Sequence, residues 1–243
     1  MENNIHIVTV ATSEEGYLKW LKQSCERHGT NLVVLGFGKK WEGYTMRYNL
    51  LLNYIKNLPK NDIICFIDAY DVLMLQNVKI LKDRFLALNS NKIVCAIESQ
   101  ENILMELFIK ALFETDKLVL NAGTYLGFVE QVQDMLIYNL NICNFDLSTD
   151  DQKLLNNYFK QNPNNIYIDI DNNFFYTRCS ITTKEGFLDQ HNYNTNACFI
   201  HKNGNGLLNN LLKTQGYNFT LIDEINIYKG LIEMFPKKIK YHL

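Results

Sequence analysis

Ile63-Ile64-Cys65-Phe66-Ile67 runs without a polar residue and ends directly in Asp68-Ala69-Tyr70-Asp71. A short, wholly apolar run is the pattern of a strand covered on both faces, as in a parallel sheet flanked by helices. Two carboxylates then fall where that strand leaves the sheet. Open α/β sheets bind their ligands beyond the carboxyl ends of the strands. Acids held there without a partner are costly. A divalent cation is a natural partner, and a nucleotide diphosphate is its natural companion. A helix N-cap followed by a solvated acid is the other reading that these four residues leave open.

The surrounding pattern supports a sheet of this kind. Ile5 to Ala11 reads as a strand, and Glu14 to His28 as a helix capped by Ser13 with Tyr17, Leu18, Leu21 and Cys25 on one face. Asn31 to Gly36 is a second strand and Thr45 to Leu58 a second helix. The Asp62 to Asp68 strand, a short helix near Val78 to Leu88 and a strand over Ile93 to Ile97 follow. This βαβα order predicts a mostly parallel sheet. Lys117 to Phe128 reads as a strand or a hairpin about Asn121-Ala122-Gly123. Helices are expected over Gln131 to Leu140 and Thr149 to Phe159, with short strands over Ile166 to Asp169 and Ala197 to His201. Tyr176 to Asn196 is polar and carries no clear period. In the tail, Ile225, Tyr228, Leu231, Ile232 and Phe235 recur at near-helical spacing, which predicts core or interface packing.

At 243 residues and 47% hydrophobic, the chain can bury one large core. Its net charge of -2 argues against a nucleic-acid partner. No apolar run approaches a membrane span, and no signal peptide is legible, so a soluble cytoplasmic protein is expected. The six cysteines form no Cys-x-x-Cys pair, which argues against a zinc site or a disulfide framework.

There is no Gly-x-Gly-x-x-Gly after the first strand and no Walker loop. That strand ends instead in Val10-Ala11-Thr12-Ser13, small and hydroxyl residues that can admit a base or ribose beside the backbone, or simply cap a helix. Far downstream, Phe199-Ile200-His201-Lys202-Asn203-Gly204 places a histidine at a strand end before a glycine turn. Histidine is a common metal ligand, and such a turn lets backbone N–H groups approach phosphate. With Asp68 and Asp71 it would make a two-carboxylate, one-imidazole set. Mixed O/N ligation suits Mn²⁺ better than Mg²⁺.

Five motifs now stand in one order: Ile7-Val8-Thr9-Val10-Ala11-Thr12, Phe66-Ile67-Asp68-Ala69-Tyr70-Asp71-Val72, Leu120-Asn121-Ala122-Gly123, Asp150-Asp151-Gln152 and Ile200-His201-Lys202-Asn203-Gly204. In this order the chain resembles the N-terminal glycosyltransferase domain of the procollagen lysyl hydroxylases. The resemblance implies an α/β, Rossmann-like GT-A fold with a mostly parallel central sheet in a single domain over residues 1–217. Residues 218–243 are then a helical tail for packing or an interface. It implies Mn²⁺, a UDP-glucose or UDP-galactose donor, and transfer with retention to hydroxylysine-linked, collagen-like acceptors. A homodimer is a further expectation.

Carried over by position, the resemblance makes Asp68, Asp71 and His201 the metal ligands. Val10, Thr12 and Tyr70 would hold the uridine, with Trp41 as a nucleotide-side aromatic. Arg47 would meet the diphosphate, and Asn203 and Gly204 would line the phosphate side. Glu98, Asn121, Asp150 and Asp151 would stand beside the donor sugar and the acceptor. Each has a plainer reading: a helix-start acid for Glu98, helix-dipole acids for Asp150 and Asp151, and packing for Trp41. The chain also departs from the family. The glycine-rich stretch before the basic residue shortens to Glu42-Gly43-Tyr44-Thr45, and a long aspartate run shrinks to Ser148-Thr149-Asp150-Asp151-Gln152. Gly123-Thr124-Tyr125 replaces Gly-Gly-Phe, and Asn205 replaces a proline. Two other classes stay open: a non-catalytic UDP-sugar-binding module, and a metal-dependent phosphohydrolase.

Overall fold

The computed structural model describes residues 3–98, 118–178, 195–203 and 207–230. A six-stranded sheet in the order β2-β1-β3-β6-β5-β7 forms the centre. Its strands are β1 (Ile5–Val10), β2 (Leu32–Leu35), β3 (Ile63–Ile67), β5 (Ile93–Ile97), β6 (Leu120–Phe128) and β7 (Ile166–Ile168). The pairs β1–β2, β1–β3 and β5–β7 are parallel, and only β6 runs antiparallel to its neighbours β3 and β5. A second, three-stranded sheet has β9 (Phe199–His201) between β4 (Val72–Met74) and β8 (Phe175–Thr177).

The apolar run that predicts a doubly covered strand is one. All five residues of β3 are buried, and they alternate between two cores. Ile64 and Phe66 join the cluster formed with α2 (Met46–Ile55), α4 (Val129–Ile142) and α5 (Asp151–Gln161). Ile63, Cys65 and Ile67 join the cluster formed with α1 (Leu18–Arg27), α3 (Val78–Ala87) and the small sheet. Each fully buried aliphatic side chain contributes about 1.5–3 kcal/mol, so β3 anchors the sheet to both of its faces. A third cluster joins Tyr17 and Trp20 to α6 (Asn209–Thr214) and to Ile227 of a final helix over 221–230, here α7. Thr220 and Asp223 form a reciprocal cap at its start, with N–H to side-chain oxygen distances of 2.9 and 3.2 Å.

One expectation changes and others narrow. Ser13 does not cap α1, because its hydroxyl donates to Glu15 and the helix begins at Leu18. The chain first passes through Gly16 at φ +51°, where an added Cβ would lie 2.6 Å from the Tyr70 carbonyl oxygen. The Tyr17 N–H then donates to that carbonyl at 3.0 Å. Of the strand and the hairpin left open for Lys117 to Phe128, the strand forms, with Asn121, Ala122 and Gly123 inside the nine-residue β6. In the tail, Ile225 and Tyr228 are 44% and 43% exposed, and Ile227 makes the core contact. Leu231, Ile232 and Phe235 lie outside the described residues. Strand β8 runs from Phe175 into the start of the Tyr176 to Asn196 segment that showed no period. Among the described residues, no helix is long and apolar enough to cross a membrane, and five cysteines are free.

Candidate metal centre and donor site

Asp68 follows the last residue of β3, and Asp71 precedes the first residue of β4. The Asp-x-x-Asp segment is therefore the bridge between the two sheets. Register does the rest: Val72 of β4 pairs with His201 of β9, and the Lys202 N–H donates to the Asp71 carbonyl at 2.9 Å. A residue 130 positions away in sequence is thus fixed beside both carboxylates. One ligand atom from each of Asp68, Asp71 and His201 lies within 4.8 Å of the others. His201 Nε2 is 3.3 Å from Asp71 Oδ1 and 3.6 Å from Asp68 Oδ2. Both ring nitrogens are buried, yet neither makes a hydrogen bond of acceptable angle. Burial pushes the His201 pKa down, but the carboxylates of Asp71, Asp68 and Glu98 outweigh it and hold it above its ordinary value.

These residues fit a divalent cation. Two hard carboxylate oxygens and one imidazole nitrogen converge from rigid strand ends, and the imidazole lacks another hydrogen-bond partner. Gly123 keeps the space open. A Cβ there would fall 2.3 Å from Asp68 Oδ2 and 2.6 Å from His201 Cε1. That close approach explains a glycine inside β6. The Gly123 carbonyl accepts the Asp68 N–H at 2.7 Å and so orients the acid.

Arg47, in the first turn of α2, reaches across the mouth of the sheet. Its Nη1 donates to Asp68 Oδ1 and its Nη2 to Asp151 Oδ2. Asp68 therefore turns one oxygen to the guanidinium and the other to the His201 side. Burial raises the Asp151 pKa to about 6, with Asp68 and Asp150 adding to the rise and Arg47 opposing it. The Arg47 pKa is raised too: burial works against its charge, and the carboxylates of Asp151 and Asp68 outweigh it. Asp150 is the N-cap of α5, accepting the Gln152 and Lys153 N–H groups at 2.9 and 3.2 Å. The two adjacent acids thus sit in different environments, with Asp150 on its own helix and Asp151 in the cleft.

A second network lies behind His201. Glu98, just past β5, is buried and accepts from Asn121 Nδ2 at 2.8 Å and from Asn203 Nδ2. Burial raises its pKa, against the pull of Asn121 and His201. Gln152, the third residue of the Asp150-Asp151-Gln152 motif, hydrogen bonds to Glu98 as well. Asn121 Oδ1 accepts the Gly123 N–H at 2.9 Å, tying this network to the metal centre.

On the nucleotide side, Tyr70 is half-buried beside Ala11 and Ala69. Its hydroxyl lies 3.2 Å from the Thr12 N–H and 3.4 Å from the Ser13 N–H, which both donate to it. Val10 is buried at the end of β1. Trp41 packs on the main core and meets Tyr44 edge-on at 6.1 Å. Gly204 lies outside the described residues.

A family model described as the PLOD GT domain matches residues 1–218. The chain belongs to the PLOD GT domain family. Among curated relatives, an uncharacterized protein of Acanthamoeba polyphaga mimivirus is 26% identical over 151 residues, covering 56% of this chain and 32% of that protein. The multifunctional procollagen lysine hydroxylase and glycosyltransferase of Caenorhabditis elegans is 25% identical over 230 residues, covering 82% of this chain and 30% of its own. The chain thus spans a third or less of the curated relatives it matches. A crystal structure of a glycosyltransferase involved in glycosylation of the major capsid of PBCV-1 superposes with a TM-score of 0.54. It is 14% identical and covers 83% of this chain and 93% of that one. The family member has the GT-A fold, with its mixed, mostly parallel sheet in a single α/β domain.

Proposed function

We propose that this PLOD GT family member is a Mn²⁺-dependent hexosyltransferase. It takes glucose or galactose from a UDP-sugar and passes it, with retention, to a hydroxylysine-linked, collagen-like acceptor. The observation that carries the reading is the convergence of Asp68, Asp71 and His201 at the strand ends of a GT-A sheet. Family membership and the name of the Caenorhabditis elegans relative support the acceptor class, and the sequence resemblance supports the donor class. Residues 1–217 form the transferase domain in this reading, and residues 218–243 a tail for packing or an interface.

Asp68, Asp71 and His201 hold the cation, which when bound supplies Lewis-acid charge neutralisation at the UDP leaving group. Val10, Thr12 and Tyr70 hold the uridine, with the Tyr70 hydroxyl anchored to the 12–13 backbone so that its ring keeps one orientation. Trp41 closes the nucleotide side. Asn203 and Gly204 border the phosphates, and Arg47 adds positive charge next to them. Asp151, ionised above about pH 6, faces the sugar, where its charge stabilises an oxocarbenium-like centre. Asp150 holds the helix that carries Asp151. Glu98 and Asn121 shape the sugar and acceptor side, and Asn203 braces Glu98.

The test is turnover of UDP-glucose and UDP-galactose with Mn²⁺, against hydroxylysine-bearing peptides, with and without chelator. Metal-dependent release of UDP from one donor is the expected result. Tight UDP binding with neither hydrolysis nor transfer would replace this reading with a non-catalytic binding module. Equal affinity for UDP, GDP and CMP would remove the uridine assignment.

A further inference from the structure

The shortened stretch before Arg47 and the shortened acid run before α5 meet each other. Gly43 is buried at φ +136°, and a Cβ there would lie 2.0 Å from the Leu147 carbonyl oxygen. The Thr45 N–H donates to that carbonyl at 3.3 Å. Thr45 is fully buried, and its hydroxyl donates to the Asp146 carbonyl at 2.8 Å. One turn further along α2, Arg47 holds the Asp151 carboxylate and the Tyr48 hydroxyl donates to the Asp151 carbonyl at 3.0 Å. Residues 43, 45, 47 and 48 thus clasp 146–151 by backbone and side chain together.

The clasped loop has a defined start. Asn144 and Phe145, at φ 49° and 59°, close α4: the Phe145 N–H donates to the Leu140 carbonyl at 3.0 Å and the Asn144 N–H to the Asn141 carbonyl at 3.2 Å. The 146–149 turn is folded about the Asp146 carboxylate, which accepts from the Ser148 N–H at 3.0 Å and the Ser148 hydroxyl at 2.8 Å. Its docking partner is the first turn of α2.

We infer that Thr45 is a positioning residue for Asp151: by holding the 146–147 backbone, it sets the start of α5 and thereby the reach of Asp151 to Arg47 and the donor sugar. Gly43 is the position that allows this approach. The acid side of the site is then preset by the short 42–45 stretch. This inference rests on the proposed transferase reading for its kinetic consequence, but not for its structural one.

The decisive variants are Thr45→Val, which keeps shape and removes the hydroxyl, and Thr45→Ser, which keeps the hydroxyl. Thr45→Val is expected to lower kcat for sugar transfer about tenfold, the effect of a small misplacement of a catalytic group, with donor KM and UDP affinity within about twofold of wild type. Thr45→Ser is expected to retain most of kcat. Hydrogen exchange at the 147–153 amides should rise in Thr45→Val and not in Thr45→Ser. That second readout needs no turnover, so wild-type inactivity would count against the transferase reading alone. Unchanged exchange at those amides in Thr45→Val would overturn the inference, as would a kcat equal to wild type with only a lowered Tm.

Discussion

Asp151 and Gly123 show how single residues decide this site. Asp151 is buried beside Arg47, and burial lifts its pKa to about 6. A carboxyl raised above its unfolded value of about 4 binds more protons folded than unfolded in the interval between them. Its contribution to stability therefore falls as pH rises from about 4 to about 6. Asp151→Asn should remove that pH-dependent part, so Tm profiles of variant and wild type should diverge across this window. Parallel profiles would contradict the burial argument. The same change should lower kcat by about tenfold to a thousandfold with little change in UDP affinity, the range for one well-placed polar group in a transition state. Gly123 acts by absence. Its missing Cβ leaves room for Asp68 Oδ2 and His201 Cε1. Gly123→Ala should weaken Mn²⁺ binding at least tenfold, since one ligand or the strand must move. Calorimetry that finds wild-type affinity in this variant would show that the two ligands can shift without loss.

The pairing of elements was legible where the apolar period was strong, and less so where glycine or polar residues served the site. Ile93–Ile97 forms the strand its pattern predicts, because β5 is covered on both faces. β6 read as a strand or hairpin because Asn121 and Gly123 look like turn residues. In the structure Asn121 braces Glu98, and Gly123 leaves room for the Asp68 and His201 side chains. The start of α1 departs from its apolar pattern for a related reason, since Gly16 bends the chain around Tyr70 before the helix can begin. Asp68, Asp71 and His201 could be found because strand-end positions are visible in sequence. The clasp of Thr45 on Asp146 could not, because both contacts are to backbone carbonyls, which leave no mark in residue identity. Asp62 tests a different joint. It accepts the Asn4 N–H at 2.9 Å and lies 3.2 Å from His6 Nε2, fastening the start of β1 to the start of β3. Burial works to raise its pKa, but those hydrogen bonds hold it below the usual carboxylate range. A lowered folded pKa gives stability that is present above about pH 4 and lost as pH falls through the folded value. Asp62→Ala should cost about 1–3 kcal/mol at neutral pH. Denaturant melts should show that cost shrinking in acid, and a constant cost down to the folded pKa would refute the assignment.

Taken whole, the molecule is a GT-A sheet whose open end gathers acids, one histidine and one arginine from both sheets and two helices. The large sheet supplies Asp68, the small sheet supplies Asp71 and His201, α2 supplies Arg47 and α5 supplies Asp151. No single element holds the site, so it exists only when both sheets are assembled. A cation bound there should raise Tm by mass action, increasingly so above its Kd. The most direct test is a Mn²⁺ titration by calorimetry in the presence of UDP, on wild type, Asp71→Ala and His201→Ala, each shown to be folded by circular dichroism. The expected result is one high-affinity Mn²⁺ per wild-type chain and a loss of at least a hundredfold in both variants. Unchanged Mn²⁺ affinity and stoichiometry in either variant would contradict a metal centre built on Asp68, Asp71 and His201.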